Sequence, residues 1–299
     1  MTAFDYLQAH PGLLIVLASI LGLLVGSFLN VVIHRLPVMM EREWTAQCRE
    51  LMAGEGGDAA QDLKPHLAEE TFNLAVPRSR CPKCGHAISA LENIPLLSYL
   101  WLRGRCAGCG VRISPRYPLV ELTSGLLCAV LAWLWGATPA LGLLMLFTWT
   151  LIVLTLIDYD HQLLPDSLTL PLLWLGLIAN AFGLITDLQS ALWGAVFGYL
   201  TLWSVYWLFK LATGKEGMGY GDFKLLAALG AWMGWQSLPL IVILSSLVGA
   251  LIGATALALQ GRDRSHPIPF GPFLAIAGWI ALVWGDQLIA LYWQWIGGY

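Results

Sequence analysis

Charge is scarce in this chain. Asp, Glu, Lys and Arg make up 12% of its 299 residues, against roughly 25% in soluble domains. With 58% hydrophobic residues and a mean hydropathy of +0.68, a soluble globular chain is excluded. Strict polar–apolar alternation is also missing, and a membrane β-barrel would need it on every strand. In its place stand apolar blocks of about 20 residues, the length that spans a hydrocarbon core. The fold class is therefore an all-α polytopic membrane protein.

Three further absences narrow the reading. No Lys or Arg precedes the first apolar block, so the pattern of a cleavable signal peptide is lacking and that block is expected to be a retained first helix. Cys48 lies in a polar stretch and Cys128 in an apolar one, so they suggest no disulfide framework. No Gly-x-Gly-x-x-Gly opens a soluble βαβ unit, so no familiar nucleotide-binding fold is signalled.

What is present is about eight candidate spans, at 11–34, 118–134, 139–157, 168–185, 191–211, 225–235 (a short one), 238–259 and 273–296. They imply three regions: an N-terminus with a first helix over 1–34, a hydrophilic loop over 35–116, and a seven-helix membrane core over 117–299. Within the loop, 39–72 is a charged insert, with a short surface helix expected at 41–52 and a flexible glycine-rich stretch after it. Eleven of the 16 Lys and Arg fall in 35–116, and the others are Lys210, Lys215, Lys224, Arg262 and Arg264. With eight alternating helices, all of them lie on one side. The positive-inside rule then places the loop in the cytoplasm and both termini on the opposite side of the membrane. Trp101, Trp133, Trp135, Trp232, Trp235, Trp293 and Trp295 sit near span ends, as an interfacial aromatic belt would. In the first span, Gly26-Ser27-Phe28-Leu29-Asn30 suits close helix packing, with Asn30 hydrogen-bonded to a neighbour.

The clearest local signal is a pair of turns, Cys81-Pro82-Lys83-Cys84-Gly85 and Cys106-Ala107-Gly108-Cys109-Gly110. Two Cys-x2-Cys pairs 21 residues apart predict one tetrahedral Zn²⁺ site, one residue beyond the usual spacing. The glycine after each second cysteine lets the chain turn and aim backbone N–H groups at sulfur. Four protein ligands saturate the metal, so the site is expected to be structural, in a small cytoplasmic domain over about 77–116. That argues against a zinc protease.

The second signal is a pair of acids at one membrane face. Asp222 ends the glycine-rich stretch Gly217-Met218-Gly219-Tyr220-Gly221-Asp222, whose glycines open conformations closed to other residues and allow close packing. Gly219 and Gly221 also leave room for a peptide backbone to approach the acid. Asp158 lies 64 residues upstream, in Leu156-Ile157-Asp158-Tyr159-Asp160. An ionisable side chain at membrane depth marks a candidate site, and two carboxylates sharing one proton can hydrolyse an amide. Asp160 reads as a loop acid, Asp166 as a helix N-cap and Glu121 as a hydrogen-bonding group within its span. Three alternatives stay open: interfacial caps, a transporter with acids on broken helices, and a non-enzymatic scaffold.

Gly-x-Gly-Asp with an upstream Asp-x6-Pro-Asp is similar to the bacterial prepilin leader peptidases. Gly26-Ser27-Phe28-Leu29-Asn30, the cysteine pairs, Glu92-Asn93-Ile94-Pro95 and Pro269-Phe270-Gly271-Pro272 extend the likeness over nearly the whole chain. The resemblance implies an intramembrane aspartic peptidase with Asp158 and Asp222 as its catalytic pair. It implies type IV prepilin or pseudopilin substrates, with a basic leader and an apolar N-terminal helix. It also implies N-methylation of the new N-terminus from S-adenosylmethionine, with cleavage alone as the alternative. The other partner is the lipid bilayer, and no nucleic acid is expected.

Overall fold

The computed structural model describes residues 3–54, 72–260, 269–295 and 297. The chain divides into two compact units, Met1–Leu134 and Trp135–Tyr299.

In the first unit, α1 (Ala3–Ala9) leads into α2 (Pro11–Gly54), then come the short α3 (Leu97–Trp101) and α4 (Arg116–Trp135). Helix α2 corrects one expectation: it does not end near His34 but runs through Pro37 for 44 residues. An internal proline costs a helix about 3 kcal/mol, and two features offset it. Residues 39–54 are mostly good helix formers, so the separate helix expected at 41–52 is the continuation of α2. Arg35, buried on α2, also donates to the carbonyls of Asn73 and Pro77 at 2.8 and 2.6 Å, and Arg42 stacks over Phe72, 4.2 Å from its ring centre. The glycine-rich stretch expected after α2 lies outside the described residues, as do Arg262 and Arg264.

Helix α4 packs on α2 through small residues. A Cβ on Gly26 would fall 2.8 Å from Glu121 Cα, and one on Gly22 2.8 Å from the Ser124 carbonyl oxygen. Ser124 Oγ donates to the Gly22 carbonyl at 2.5 Å, and Asn30 Nδ2 to the Tyr117 carbonyl at 3.1 Å. The glycine-serine-asparagine stretch is thus a helix-packing device, and α4 makes its close contacts with the first helix.

The second unit holds α5 (Pro139–His161), α6 (Asp166–Ala181), α7 (Leu188–Thr213), α8 (Tyr220–Met233), α9 (Leu238–Gln260) and α10 (Gly271–Trp295). Across the described residues, eight apolar helices stand where spans are expected, and six are long and apolar enough to cross a membrane. Helices α6 and α8 have 16 and 14 residues, short of the roughly 20 a bilayer requires. Helix α8 is apolar nearly all round, and Phe223 and every residue from Leu225 to Trp232 are buried, as an internal helix requires. Its neighbours reach it through glycine: Gly194 of α7 meets the backbone of Gly230, and Gly198 that of Leu226. Trp232 is therefore no belt residue. It is fully buried, fits against Gly176 and donates to the Leu172 carbonyl at 2.8 Å. Trp101, Trp133, Trp235, Trp293 and Trp295 are exposed, as anchors would be.

Candidate functional site

Two clusters of chemistry-bearing residues stand out, one in each unit. In the second unit, Asp158 lies in the last turn of α5, whose C-cap, Gln162, is in the left-handed conformation. Asp222 lies in the first turn of α8. Both are buried, 5% and 7% exposed, and the two carboxylates interact through their charges. Asp160 is exposed on the same turn as Asp158. Burial thus sets Asp158 and Asp222 apart from Asp160.

Three residues build the walls around the acids. Gly271, the first residue of α10, donates its N–H to Asp158 Oδ2 at 3.0 Å. A Cβ there would lie 2.6 Å from that oxygen, so only glycine lets the backbone come this close. Leu164, buried on the turn after α5, would lie 3.2 Å from the same Cβ. Leu164 also fills the space beside Gly221, whose Cβ would fall 2.7 Å from Leu164 Cβ. One leucine therefore packs against both the Asp222 turn and the residue that binds Asp158.

The glycines of the acid turn serve close approach and not unusual backbone angles. Among the described residues, none of Gly217, Gly219 and Gly221 has positive φ, which corrects the expectation of special conformations. The left-handed residue is Gly214 (φ 71°), the C-cap of α7. Gly217 is small because Phe209 packs on it, and Gly221 because Leu164 does. Gly219 differs: a Cβ there would meet only Asp222 Oδ2, at 4.0 Å. Its smallness leaves space beside the carboxylate.

Asp166 needs a second correction. It is the first residue of α6, the N-cap position belongs to Pro165, and no side-chain cap bond forms. Its carboxylate accepts two bonds from Lys224 Nζ, both 2.7 Å. Sequence reasoning missed this pair and Gly271. The available signals were opposite charges a little way beyond each half of the site, and a Pro at the start of a span, where prolines open helices.

In the first unit, the sulfurs of Cys81, Cys84, Cys106 and Cys109 all lie within 4.8 Å of one another. The Cys81–Cys109 and Cys84–Cys106 separations are both 3.9 Å. A tetrahedral ion with bonds of about 2.3 Å to sulfur sets its ligands roughly 3.8 Å apart, so the four-thiol cluster fits a metal ion. The two turns repeat each other. Cys81 N–H donates to His86 O and Gly85 N–H to Cys81 O, while Cys106 and Gly110 bond to Val111 and Cys106 in the same way, all at 2.9 Å. Here positive φ is required: Gly85 and Gly110 sit at 73° and 69°. Backbone N–H groups of Cys84 and Lys83 pull the Cys81 thiol down to about 6, which favours the thiolate that binds metal.

Glu92 braces the cluster from outside. It accepts from Ser89 N–H at 2.7 Å and contacts His86 Nε2 at 3.0 Å, and these two partners hold its carboxyl below the usual range. Its neighbour Asn93 contacts Ser27 of α2, 3.5 Å away. Glu121, buried on α4, accepts the Leu96 N–H at 2.9 Å, so the Glu92–Pro95 turn is bound to both helices. Cys48 is exposed on α2 and Cys128 is buried on α4.

The model described as the bacterial peptidase A24 N-terminal domain matches residues 20–135, which include the four cysteines. The model described as the type IV leader peptidase family matches residues 145–254, which include Asp158 and Asp222. The chain is 59% identical to a protein of Stutzerimonas stutzeri named prepilin leader peptidase/N-methyltransferase, over 98% of this chain and 99% of that one. A protein of the same name from Pseudomonas aeruginosa is 59% identical over 99% of each chain. One from Dichelobacter nodosus is 50% identical over 98% of each. No solved structure matches the chain.

Proposed function

The chain belongs to the type IV leader peptidase family, and from that premise we propose that it is a membrane aspartic endopeptidase and N-methyltransferase. It removes the basic leader of type IV prepilins and pseudopilins at the cytoplasmic face of a bacterial inner membrane, then methylates the new N-terminal residue. The observation that carries the peptidase reading is the pair of buried, interacting carboxylates at the ends of α5 and α8. A transporter would set such acids on broken helices at a repeat interface, which family membership does not support.

Asp158 and Asp222 are the catalytic pair. They share one proton and titrate as a unit. One carboxylate takes a proton from water as it attacks the scissile carbonyl, while the neutral partner polarises that carbonyl and then protonates the leaving amine. The Gly271 N–H orients the Asp158 carboxylate. The space beside Gly219 admits the substrate backbone to Asp222, and Gly221 lets Leu164 close the wall behind it. The substrate's apolar helix enters sideways from the bilayer, so its leader meets the acids at the membrane surface.

The basic residues support the cytoplasmic placement. Cys81, Cys84, Cys106 and Cys109 would hold Zn²⁺ through four thiolates. With no ligand position left for water it is structural. S-adenosylmethionine supplies the methyl group, and cleavage creates the amine that receives it. Incubating the full chain, in lipid nanodiscs, with a peptide of basic leader and apolar helix tests the proposal. The expected product has lost the leader mass and, with S-adenosylmethionine, gained one methyl group. An unchanged substrate mass would overturn the reading.

A further inference from the structure

The seam between α6 and α8 is tied at both ends by different means. Away from the acids the ties are buried: Asn180 Nδ2 donates to the carbonyls of Ala231 and Trp232 at 2.9 and 3.0 Å, and Trp232 Nε1 to Leu172. At the acid end the tie is the Asp166–Lys224 ion pair, with side chains 55% and 28% exposed. Lys224 follows Asp222 by two residues, and Asp166 follows Leu164 by two.

A half-exposed ion pair adds little to overall stability. Its position, however, decides a direction. Residues i and i+2 of a helix point to different faces, so Lys224 does not share a face with Asp222. Holding it instead fixes the rotation of the turn that carries Asp222. On the α7 side the same turn is held by Phe223, fully buried against the rings of Tyr199 and Tyr206, whereas on the α6 side the ion pair holds it. The N-cap, Gly219, makes no side-chain bond, and the lead-in from α7 holds Gly214 and Gly217. The partner carboxylate opens α6, at the end of the connection that runs from Asp158 through Leu164, and Leu164 itself packs on Gly221 and beside Gly271. The clasp therefore refers the Asp222 turn to the chain segment that follows Asp158.

We propose that Asp166 and Lys224 form a positioning clasp that sets the rotation of the first turn of α8 and so aims Asp222 at Asp158. The proposal deepens the peptidase reading and rests on it. Neither residue takes part in proton transfer.

The test uses the full chain in nanodiscs, with kcat, KM for a leader peptide and the melting temperature measured together. Asp166→Asn and Lys224→Gln are each expected to lower kcat by roughly 10- to 100-fold, as a small misplacement of reacting groups does. KM and melting temperature should stay at parental values, because the buried Asn180 and Trp232 ties still hold the seam. The charge-swapped double variant, Asp166→Lys with Lys224→Asp, should recover most of the lost kcat. Single variants with parental kcat would overturn the clasp while leaving the peptidase reading intact. So would a swapped variant no better than the singles, or a kcat loss matched by a fall in melting temperature. A parent chain that does not cleave would overturn the peptidase reading and the clasp with it.

Discussion

In the cysteine cluster, all four functional atoms come from two short turns that repeat each other bond for bond. In the acid site, two buried carboxylates come from separate helices, and their surroundings come from a third helix and from the turn after α5. The difference bears on how each site fails. A closed ligand set is part of the fold of its own segment, so losing the metal removes folding energy there. The acids sit on helices bound elsewhere by Asn180, Trp232 and the glycine contacts of α7, so an acid can be changed while the frame stands.

The largest effect that would sharpen this contrast is metal removal. A structural zinc contributes about 10–16 kcal/mol of apparent binding energy, so chelation should unfold the segment around 77–116. Elemental analysis of the parent should show one zinc per chain, and Cys106→Ser should show none. A Cys106→Ser chain with full metal content would break the comparison. Next come the acids. Asp158→Asn and Asp222→Asn should each lose roughly 10²- to 10⁴-fold in cleavage, the range for acid–base groups, while keeping their zinc and their place in the membrane. They should still methylate a pre-cleaved substrate, because methyl transfer to an amine needs no hydrolytic water. A smaller loss is expected from Gly271→Ala. Its Cβ would fall 2.6 Å from Asp158 Oδ2, and displacing that carboxylate should lower kcat by about 100-fold. A Gly271→Ala chain with parental kcat would show that the close approach is idle.

How far each site could be read in the sequence follows the same division. The cysteine turns were legible because both the ligands and the glycines that shape them lie within five residues. The acids were legible one by one, Asp158 at the end of an apolar run and Asp222 at the end of a glycine-rich turn, with Asp160 set apart from them. Their support was not. Gly271 lies 113 residues from Asp158, and nothing local in Pro269-Phe270-Gly271-Pro272 points to a carboxylate. Asp166 beside Pro165 satisfied a local capping pattern, yet its partner is 58 residues away. Trp232 ends an apolar run as a belt residue would, and only the packing of α6 and α7 around α8 makes it internal. Pro37 marked a helix end by local rule, and tertiary contacts of Arg35 and Arg42 carry α2 past it.

The central claim is that Asp158 and Asp222 act as one unit, and a double-mutant cycle on cleavage tests it most directly. Rates are measured for the parent, Asp158→Asn, Asp222→Asn and the double variant, all in nanodiscs at equal zinc content. Groups that share a proton fail together, so the double variant should be no slower than either single one. Losses that multiply in the double variant, or an Asp158→Asn chain that still cleaves, would contradict the account.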